Sequence, residues 1–194
     1  MKIAITGTMG AGKSTVSQLL RQFGYPVIDS DALAKSYYDP TSRIHDRLVE
    51  LLKDHDVFND QGILDKTKYT NLFFNDPTIK IQVSELIYAT MRQDFNHMAS
   101  LYDPFIAEVP LLFEAKMDDL FDHILVVTAD PCKVMDRLEK YRGVDRQQYK
   151  KRMAYQYDDD YKLHHASSVI YNDSTMEDLK RQVKAWIKHV IDHD

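Results

Sequence analysis

A glycine-rich segment near the amino terminus constrains this chain more than any other stretch. Residues Gly7–Thr15 read Gly-Thr-Met-Gly-Ala-Gly-Lys-Ser-Thr and match the pattern Gly-x-x-x-x-Gly-Lys-Ser/Thr. The apolar run Lys2–Thr6 precedes the segment, and apolar residues at helical spacing follow it from Val16 to Phe23. The order of strand, glycine-rich turn and helix predicts a loop that wraps a phosphate group, and it argues against a turn that binds nothing.

The residue types in this segment suit phosphate chemistry. Glycines let backbone N–H groups curl around phosphate oxygens, because no Cβ stands in the way. The helix that follows adds the positive end of its dipole. We expect Lys13 to reach the β- and γ-phosphates of a nucleotide, and we expect the Ser14 hydroxyl to bind Mg²⁺.

Length and composition fit one soluble α/β domain of 194 residues with room for an inserted subdomain. The single cysteine, Cys132, excludes an internal disulfide and a metal site built from cysteines. A net charge of −5 argues against nucleic acid as a partner, although local basic groups are present. No apolar run has the length of a membrane span, and the first strand begins without a signal segment. We expect a cytoplasmic protein with small-molecule substrates, no nucleic-acid or membrane partner, and a monomeric or weakly homo-oligomeric state.

Apolar runs and helical patterns alternate along the chain, which predicts a parallel sheet flanked by helices. The predicted strands are Lys2–Thr6, Val27–Asp29, Phe105–Val109, His123–Thr128 and Ser167–Tyr171. Residues 41–100 show no convincing strand and predict a mostly helical insert, either a wall for a second substrate or plain packing. We also expect one helix from Arg146 to about Asp160, and a last helix capped by Asn172–Ser174.

Acidic residues lie within or shortly after the predicted second and third strands, near the edge where parallel strands bind ligands. Asp31 suits a carboxylate that faces a substrate hydroxyl, although it also suits a helix N-cap. Asp29 is the weaker candidate because it lies at the strand end. Glu108 lies in a strand that reads as buried, where acids are rare unless paired or liganded, so it is a metal candidate. Glu114 has two open interpretations, a substrate or supporting role and a surface residue that begins a helix.

Basic residues cluster between positions 137 and 152. Arg146 and Lys150 are one helical turn apart, and Arg142 is close to them in sequence. They suit a basic lid over a developing phosphoryl charge, whereas a solvated charged helix is the plainer alternative.

Together these motifs resemble one family, the dephospho-coenzyme A kinases. The likeness covers nearly the whole chain. Its motifs are Gly7–Thr15, Val27–Asp31 with Ala34, Gly62–Asp65, Val109–Ala115, Ile124–Val127, Arg152 with Gln156, and Val169–Asn172. The loop is shared by many proteins, but the aspartate pair and the Pro-Leu-Leu-Phe-Glu run together are much more specific.

The resemblance implies transfer of the γ-phosphoryl group of ATP to the 3′-hydroxyl of dephospho-CoA, the last step of coenzyme A synthesis, with Mg²⁺ as cofactor. It also implies a P-loop NTPase-type α/β fold with a parallel five-stranded sheet, a helical CoA-binding insert and a lid. Within a single domain of 1–194, we expect the core at 1–36, 104–140 and 165–194, the insert at about 37–103 and the lid at about 141–160.

Site residues follow from the same resemblance. The implied ATP-binding residues are Gly7, Gly10, Ala11, Gly12, Lys13, Ser14, Thr15, Arg146, Arg152 and Asn172. The implied catalytic residues are Lys13, Asp31 and Arg142, and the implied metal ligands are Ser14 and Glu108. The implied substrate residues are Asp29, Asp31, Tyr88 and Glu114.

The chain departs from the family pattern in three places. It has Tyr88-Ala89 where many members have His-Pro, Tyr141-Arg142 where many have Arg-Asp, and Ala166-Ser167 where many have Ala-Asp. We therefore expect a divergent but active member. The alternatives are another small-molecule kinase with this loop, for a nucleoside, nucleotide or sugar acid, and a non-catalytic ATP-binding regulator. An Asn-Lys-x-Asp motif for reading guanine is absent from the sequence.

Overall fold

The structure, a computed structural model, contains a five-stranded parallel sheet. The structure describes residues 1–192, without the side chains of Tyr141, Arg142, Gln148 and Arg152. The strands are β1 (Lys2–Thr6), β2 (Val27–Asp29), β3 (Phe105–Glu108), β4 (His123–Thr128) and β5 (Ser168–Tyr171). Their order is β2-β3-β1-β4-β5, and every neighbouring pair is parallel. The fold class predicted from the sequence is confirmed, and all carboxyl ends of the strands lie at one edge.

Helices connect the strands. They are α1 (Lys13–Gln22), α2 (Ser30–Ser36), α3 (His45–Leu52), α4 (Lys66–Asn75), α5 (Pro77–Ala99), α6 (Pro131–Arg142), α7 (Arg146–Met153), α8 (Asp159–His164) and α9 (Met176–Trp186). The β-branched residues of β1 suit a central strand buried on both faces. Ile3 and Ile5 pack in one core with Leu20 of α1 and Val183 of α9. A second, smaller core joins α6 to the loop after β1, where Val134 and Leu138 pack with Met9.

Two helix boundaries differ from those that the sequence predicts. The predicted helix from Arg146 to about Asp160 is wrong, because α7 ends at Met153 and α8 begins at Asp159. The Asp158 carboxylate accepts from the N–H of Tyr161 and so caps a new helix. The last helix is capped by Thr175, whose hydroxyl accepts from the N–H of Asp178, and not by Asn172–Ser174.

The described chain groups into two compact units. One contains Met1–Asp29 and the chain from Met98 onward, and the other contains Ser30–His97. The second unit is helical and has its own apolar core, with Leu48, Val83 and Phe95 among its buried residues. It overlaps the insert predicted at about 37–103, and the functional boundaries stay a prediction. Among the described residues, no helix is long and apolar enough to cross a membrane.

Candidate functional site

The loop between β1 and α1 has a backbone that only glycine accommodates at two positions. Gly7 has φ of 143°, and a Cβ there would lie 2.0 Å from the carbonyl oxygen of Val127 in β4. Gly12 has φ of 106°, and its Cβ would lie 2.2 Å from Nδ2 of Asn172. Helix α1 begins directly after Gly12, so its first N–H groups have no acceptor within the helix. The loop and the helix end together form an anion-binding backbone at the carboxyl end of β1.

Lys13 is held over this loop by the loop itself. Its Nζ donates to the carbonyl oxygens of Gly7 at 2.8 Å and Thr8 at 2.9 Å, and the residue is only 9% exposed. These bonds fix the ammonium group beside the backbone that faces an anion. The lysine therefore puts positive charge beside the loop that the sequence predicts to bind phosphate.

Ser14 contacts the one acidic residue of β3. Its hydroxyl donates to Oε1 of Glu108 at 3.0 Å, and Glu108 is only 7% exposed. Glu108 is also the register partner of Asp29 in β2, so both carboxylates project from the same face at the carboxyl edge of the sheet. A hydroxyl and carboxylates are oxygen ligands of the kind that Mg²⁺ prefers.

The donor set near Ser14 fits Mg²⁺ better than a transition metal. Within the described part of the chain, no three His, Cys, Asp or Glu side chains are grouped to hold a metal ion. Mg²⁺ is usually bound through one or two carboxylates together with water and substrate phosphates, and it needs no such group. Ser14 and Glu108 are therefore chemically suited to the metal role that the sequence predicts for them.

Asn172, directly after β5, reaches across to the loop. Its Nδ2 donates to the carbonyl oxygen of Ala11 at 2.9 Å, and its own N–H donates to Thr128 at 2.8 Å. The Nη2 of Arg137 in α6 donates to the carbonyl oxygen of Asn172 at 2.8 Å. The loop, α6 and the turn after β5 thus form one hydrogen-bonded group.

Asp31 lies in the first turn of α2, in the second compact unit. The sequence predicts a possible N-cap role, but α2 begins at Ser30, one residue earlier. A carboxylate in the first turn still interacts favourably with the helix dipole. Its position two residues after the end of β2 agrees with the sequence prediction, and its role in chemistry stays a prediction.

Glu114 is mostly buried, so the surface interpretation offered by the sequence is wrong. Its side chain is 14% exposed and lies 3.2 Å from Nζ of Lys162, a fully buried lysine of α8. Its Oε1 also accepts from the N–H of Tyr157 at 2.8 Å. These contacts give Glu114 a supporting role in holding the segment between α7 and α8. Its assignment to the substrate stays a prediction.

The basic residues of α6 and α7 are only partly described. The Arg146 side chain is 78% exposed, and its Nε lies 3.8 Å from Oε1 of Glu139. The side chains of Arg142 and Arg152, which the sequence predicts to act on ATP, lie outside the described residues. The geometry of a basic lid is therefore a prediction.

Tyr88 belongs to a group of tyrosines in the second unit. The hydroxyls of Tyr38 and Tyr69 lie 2.7 Å apart, and their ring centroids are separated by 5.2 Å. Burial raises the pKa of Tyr38, the bond to Tyr69 lowers it, and the nearby Tyr88 raises it further. Burial also raises the pKa of Tyr69, and the hydrogen bond with Tyr38 adds to that effect. These hydroxyls thus stay protonated near neutral pH and can donate hydrogen bonds.

Sequence reasoning missed two contacts of the site. Arg137 is recognised in the sequence only as part of a basic stretch, although it binds the Asn172 backbone. Lys162 gives no sequence signal of burial, because a lysine in a charged helix normally faces solvent. Only the packing of α6 and α8 reveals either role.

Comparisons with known proteins point to one family. A family model described as dephospho-CoA kinase matches residues 1–178. The dephospho-CoA kinase of Bacillus anthracis is 30% identical over 191 residues, which cover 96% of this chain and 95% of that protein. That of Streptococcus thermophilus is 32% identical over 192 residues, covering 97% of each chain. The solved structure of the Campylobacter jejuni dephospho-CoA kinase has a TM-score of 0.76 at 19% identity, covering 100% of this chain and 99% of that chain, which shows a shared fold.

Proposed function

Because this chain belongs to the dephospho-CoA kinase family, it phosphorylates dephospho-CoA with ATP in coenzyme A synthesis, and we propose roles for its residues in that reaction. These roles are assigned mainly because Lys13, Ser14 and Glu108 lie at the same end of the parallel sheet. Loop, cation, hydroxyl and carboxylate are the parts that phosphoryl transfer needs.

The loop holds the triphosphate of ATP. The backbone N–H groups of Gly10, Gly12 and Ser14 face the phosphate oxygens, and Lys13 leaves its present carbonyl acceptors to contact the β- and γ-phosphates. The support is the short distance of its Nζ from two loop carbonyls, which already places the charge at the loop. Positive charge at this place stabilises the phosphoryl group as negative charge shifts during transfer.

Ser14 and Glu108 hold Mg²⁺, with Glu108 acting directly or through water. Mg²⁺ held by these two residues would neutralise part of the phosphate charge. The hydroxyl-to-carboxylate distance of 3.0 Å supports this role, because both oxygens lie at the same point of the sheet edge. Asp29, the register partner of Glu108, contacts the acceptor from the same edge of the sheet in this proposal.

Asp31 orients the 3′-hydroxyl of the acceptor and accepts its proton. Its place in the first turn of a helix that begins directly after β2 supports this role. Tyr88, with Tyr38 and Tyr69, contributes hydroxyl donors to acceptor binding in the helical unit. Arg142, Arg146 and Arg152 cover the transferring phosphoryl group, and closure of this lid excludes water.

A coupled assay of ADP release tests the proposal. The enzyme with ATP and Mg²⁺ is expected to release ADP rapidly with dephospho-CoA and slowly with water or a panel of nucleosides and sugar acids. The product is expected to carry one new phosphate on the ribose 3′-oxygen, as NMR of the product measures. Faster turnover with a nucleoside would contradict the acceptor, and ADP release that ignores every acceptor would contradict the kinase role.

We also propose that the protein acts in the cytoplasm as a monomer or weak homo-oligomer, without nucleic acid. A net charge of −5 supports the absence of nucleic-acid binding. Light scattering over a range of concentrations measures the oligomeric state, and a stable dimer at low concentration would contradict this proposal.

A further inference from the structure

The side chain of Asn172 makes its contact with the backbone of the phosphate-binding loop. The bond runs from Nδ2 to the carbonyl oxygen of Ala11, between residues 161 positions apart in the sequence. That carbonyl belongs to the peptide that joins Ala11 to Gly12. The orientation of this peptide decides where the N–H of Gly12 points.

A trans peptide is planar, and its C=O and N–H groups point in opposite directions. With the Ala11 carbonyl held at Asn172, the N–H of Gly12 must therefore face away from Asn172. The φ of 106° at Gly12 belongs to this orientation, and the carbonyl of Gly12 accepts from the N–H groups of Thr15 and Val16. The hydrogen bond from Asn172 thus fixes the Ala11–Gly12 peptide, and the bonds from helix α1 fix the Gly12–Lys13 peptide that follows it.

Asn172 is itself held by its neighbours. Its N–H donates to Thr128 at the end of β4, and its carbonyl accepts from Arg137 at 2.8 Å. The next residue, Asp173, accepts from the N–H of Asp130 at 2.6 Å, at the start of α6. The turn after β5 is thus anchored to two other elements before it reaches the loop, which makes it a rigid support.

We propose that Asn172 is a positioning residue, supported by Arg137, that orients the Ala11–Gly12 peptide so that the N–H of Gly12 binds a phosphate of ATP. The inference rests on the proposed role of the loop in holding the triphosphate. It gives Asn172 an action through the loop backbone in place of direct contact with the nucleotide. The effect of Asn172 is therefore on binding of the polyphosphate part of the nucleotide, whatever base the nucleotide carries.

The test compares two ligands on the purified full-length enzyme. Isothermal titration calorimetry measures the affinity of wild-type and Asn172→Ala protein for ATP and for inorganic tripolyphosphate. Both affinities are expected to fall by the same factor, about 3- to 10-fold, which is the size of one net hydrogen bond. The KM for dephospho-CoA is expected to stay within about twofold, since the loop is the part affected.

Gln182→Glu is the matched control. The Gln182 amide donates to the carbonyl oxygen of Tyr171, one residue before Asn172, and has no contact with the loop among the hydrogen bonds of the described residues. This change removes an amide donor from the same strand end, and it is expected to leave both affinities unchanged. Equal losses in Gln182→Glu would mean that general loosening of the turn explains the effect, and they would overturn the proposal.

Two other results would also overturn it. A loss of affinity for ATP without a loss of affinity for tripolyphosphate would show that Asn172 contacts the base or sugar. Unchanged affinity for both ligands in an enzyme that phosphorylates dephospho-CoA would remove the positioning role and leave the proposed function standing. If Asn172→Ala does not fold, Arg137→Gln replaces it, with a smaller loss expected for both ligands and the same two results counting against the proposal.

Discussion

The position of the charged group of Lys13 is fixed, because the backbone of the loop around it is constrained. Lys13 combines near-complete burial with two carbonyl acceptors from its own loop. Its neighbour Ser14 bonds to Glu108, which lies 94 positions away in sequence. At this scale the chemistry depends on side-chain groups and much less on helix or strand propensity.

Lys13→Ala is expected to reduce kcat by about 10²- to 10³-fold, because it removes the cation that we propose stabilises the transferring phosphoryl group. Steady-state kinetics measure the change, and circular dichroism is expected to show an intact fold. Lys180→Ala, on the exposed face of α9, is the control and is expected to keep wild-type activity. Near-normal turnover of Lys13→Ala would refute the role of the lysine.

Asp31→Asn separates catalysis from helix stabilisation. Asparagine can still bond to backbone N–H groups at a helix start, but it cannot accept the proton of the acceptor hydroxyl. The expected result is a fall in kcat of about 10²- to 10⁴-fold with a similar KM for dephospho-CoA and an unchanged melting temperature. An unchanged kcat would mean that stabilising α2 is the whole function of Asp31.

Helix α8 contributes the lysine of a buried ion pair. Lys162 is fully buried, and Glu114 on the segment after β3 lies 3.2 Å from its Nζ. The same carboxylate accepts from the N–H of Tyr157, so it holds both α8 and the segment before it. A pair of this kind adds modest net stability when intact, but loss of one partner leaves a charge in an apolar place.

Lys162→Met is therefore expected to lower the free energy of unfolding by about 3–5 kcal/mol, measured by urea denaturation. The double variant Lys162→Met/Glu114→Gln is expected to recover much of the loss, because no buried charge remains while the amide oxygen still accepts from Tyr157. Lys68→Met, which breaks the exposed pair of Lys68 with Asp56, is the control and is expected to change stability little. A single variant as stable as the wild type, or a double variant no better than the single, would contradict this account.

At the scale of the whole protein, we expect ligand binding to increase stability. The loop, Glu108 and Asn172 belong to the unit that contains the sheet, so a ligand that engages them stabilises the folded state of that unit. The increase in the free energy of unfolding follows mass action, and we expect it to depend on which phosphates the ligand has.

ATP with Mg²⁺ at about 100 times its Kd is expected to stabilise the protein by about 2.7 kcal/mol. This corresponds to a rise in melting temperature of about 5–10 °C, measured by differential scanning fluorimetry. AMP lacks the β- and γ-phosphates and is expected to give a much smaller rise, and chelation of the metal by EDTA is expected to reduce the effect of ATP. Equal shifts with AMP and ATP would contradict binding through the loop.

Much of the architecture could be predicted, because it depends on local sequence patterns. The segment Gly7–Thr15 lies between a strand and a helix as predicted, and the alternation of apolar runs predicted the parallel sheet. The boundary of α7 was not predictable in this way. A single charged stretch reads as one helix, and the break at Met153 comes with a tertiary bond from Tyr157 to Glu114 and a new cap at Asp158.

By itself the sequence determined the phosphate-binding loop, the class of the fold and the identity of the side chains available for chemistry. The tertiary structure alone decided that Asn172 bonds to Ala11, that Arg137 supports Asn172, and that Lys162 is buried against Glu114. The physical reason is the order β2-β3-β1-β4-β5, which brings the carboxyl ends of strands distant in sequence to one edge. Hydrophobic periodicity specifies the face of each element, whereas the side-chain partners at that edge depend on how the elements pack.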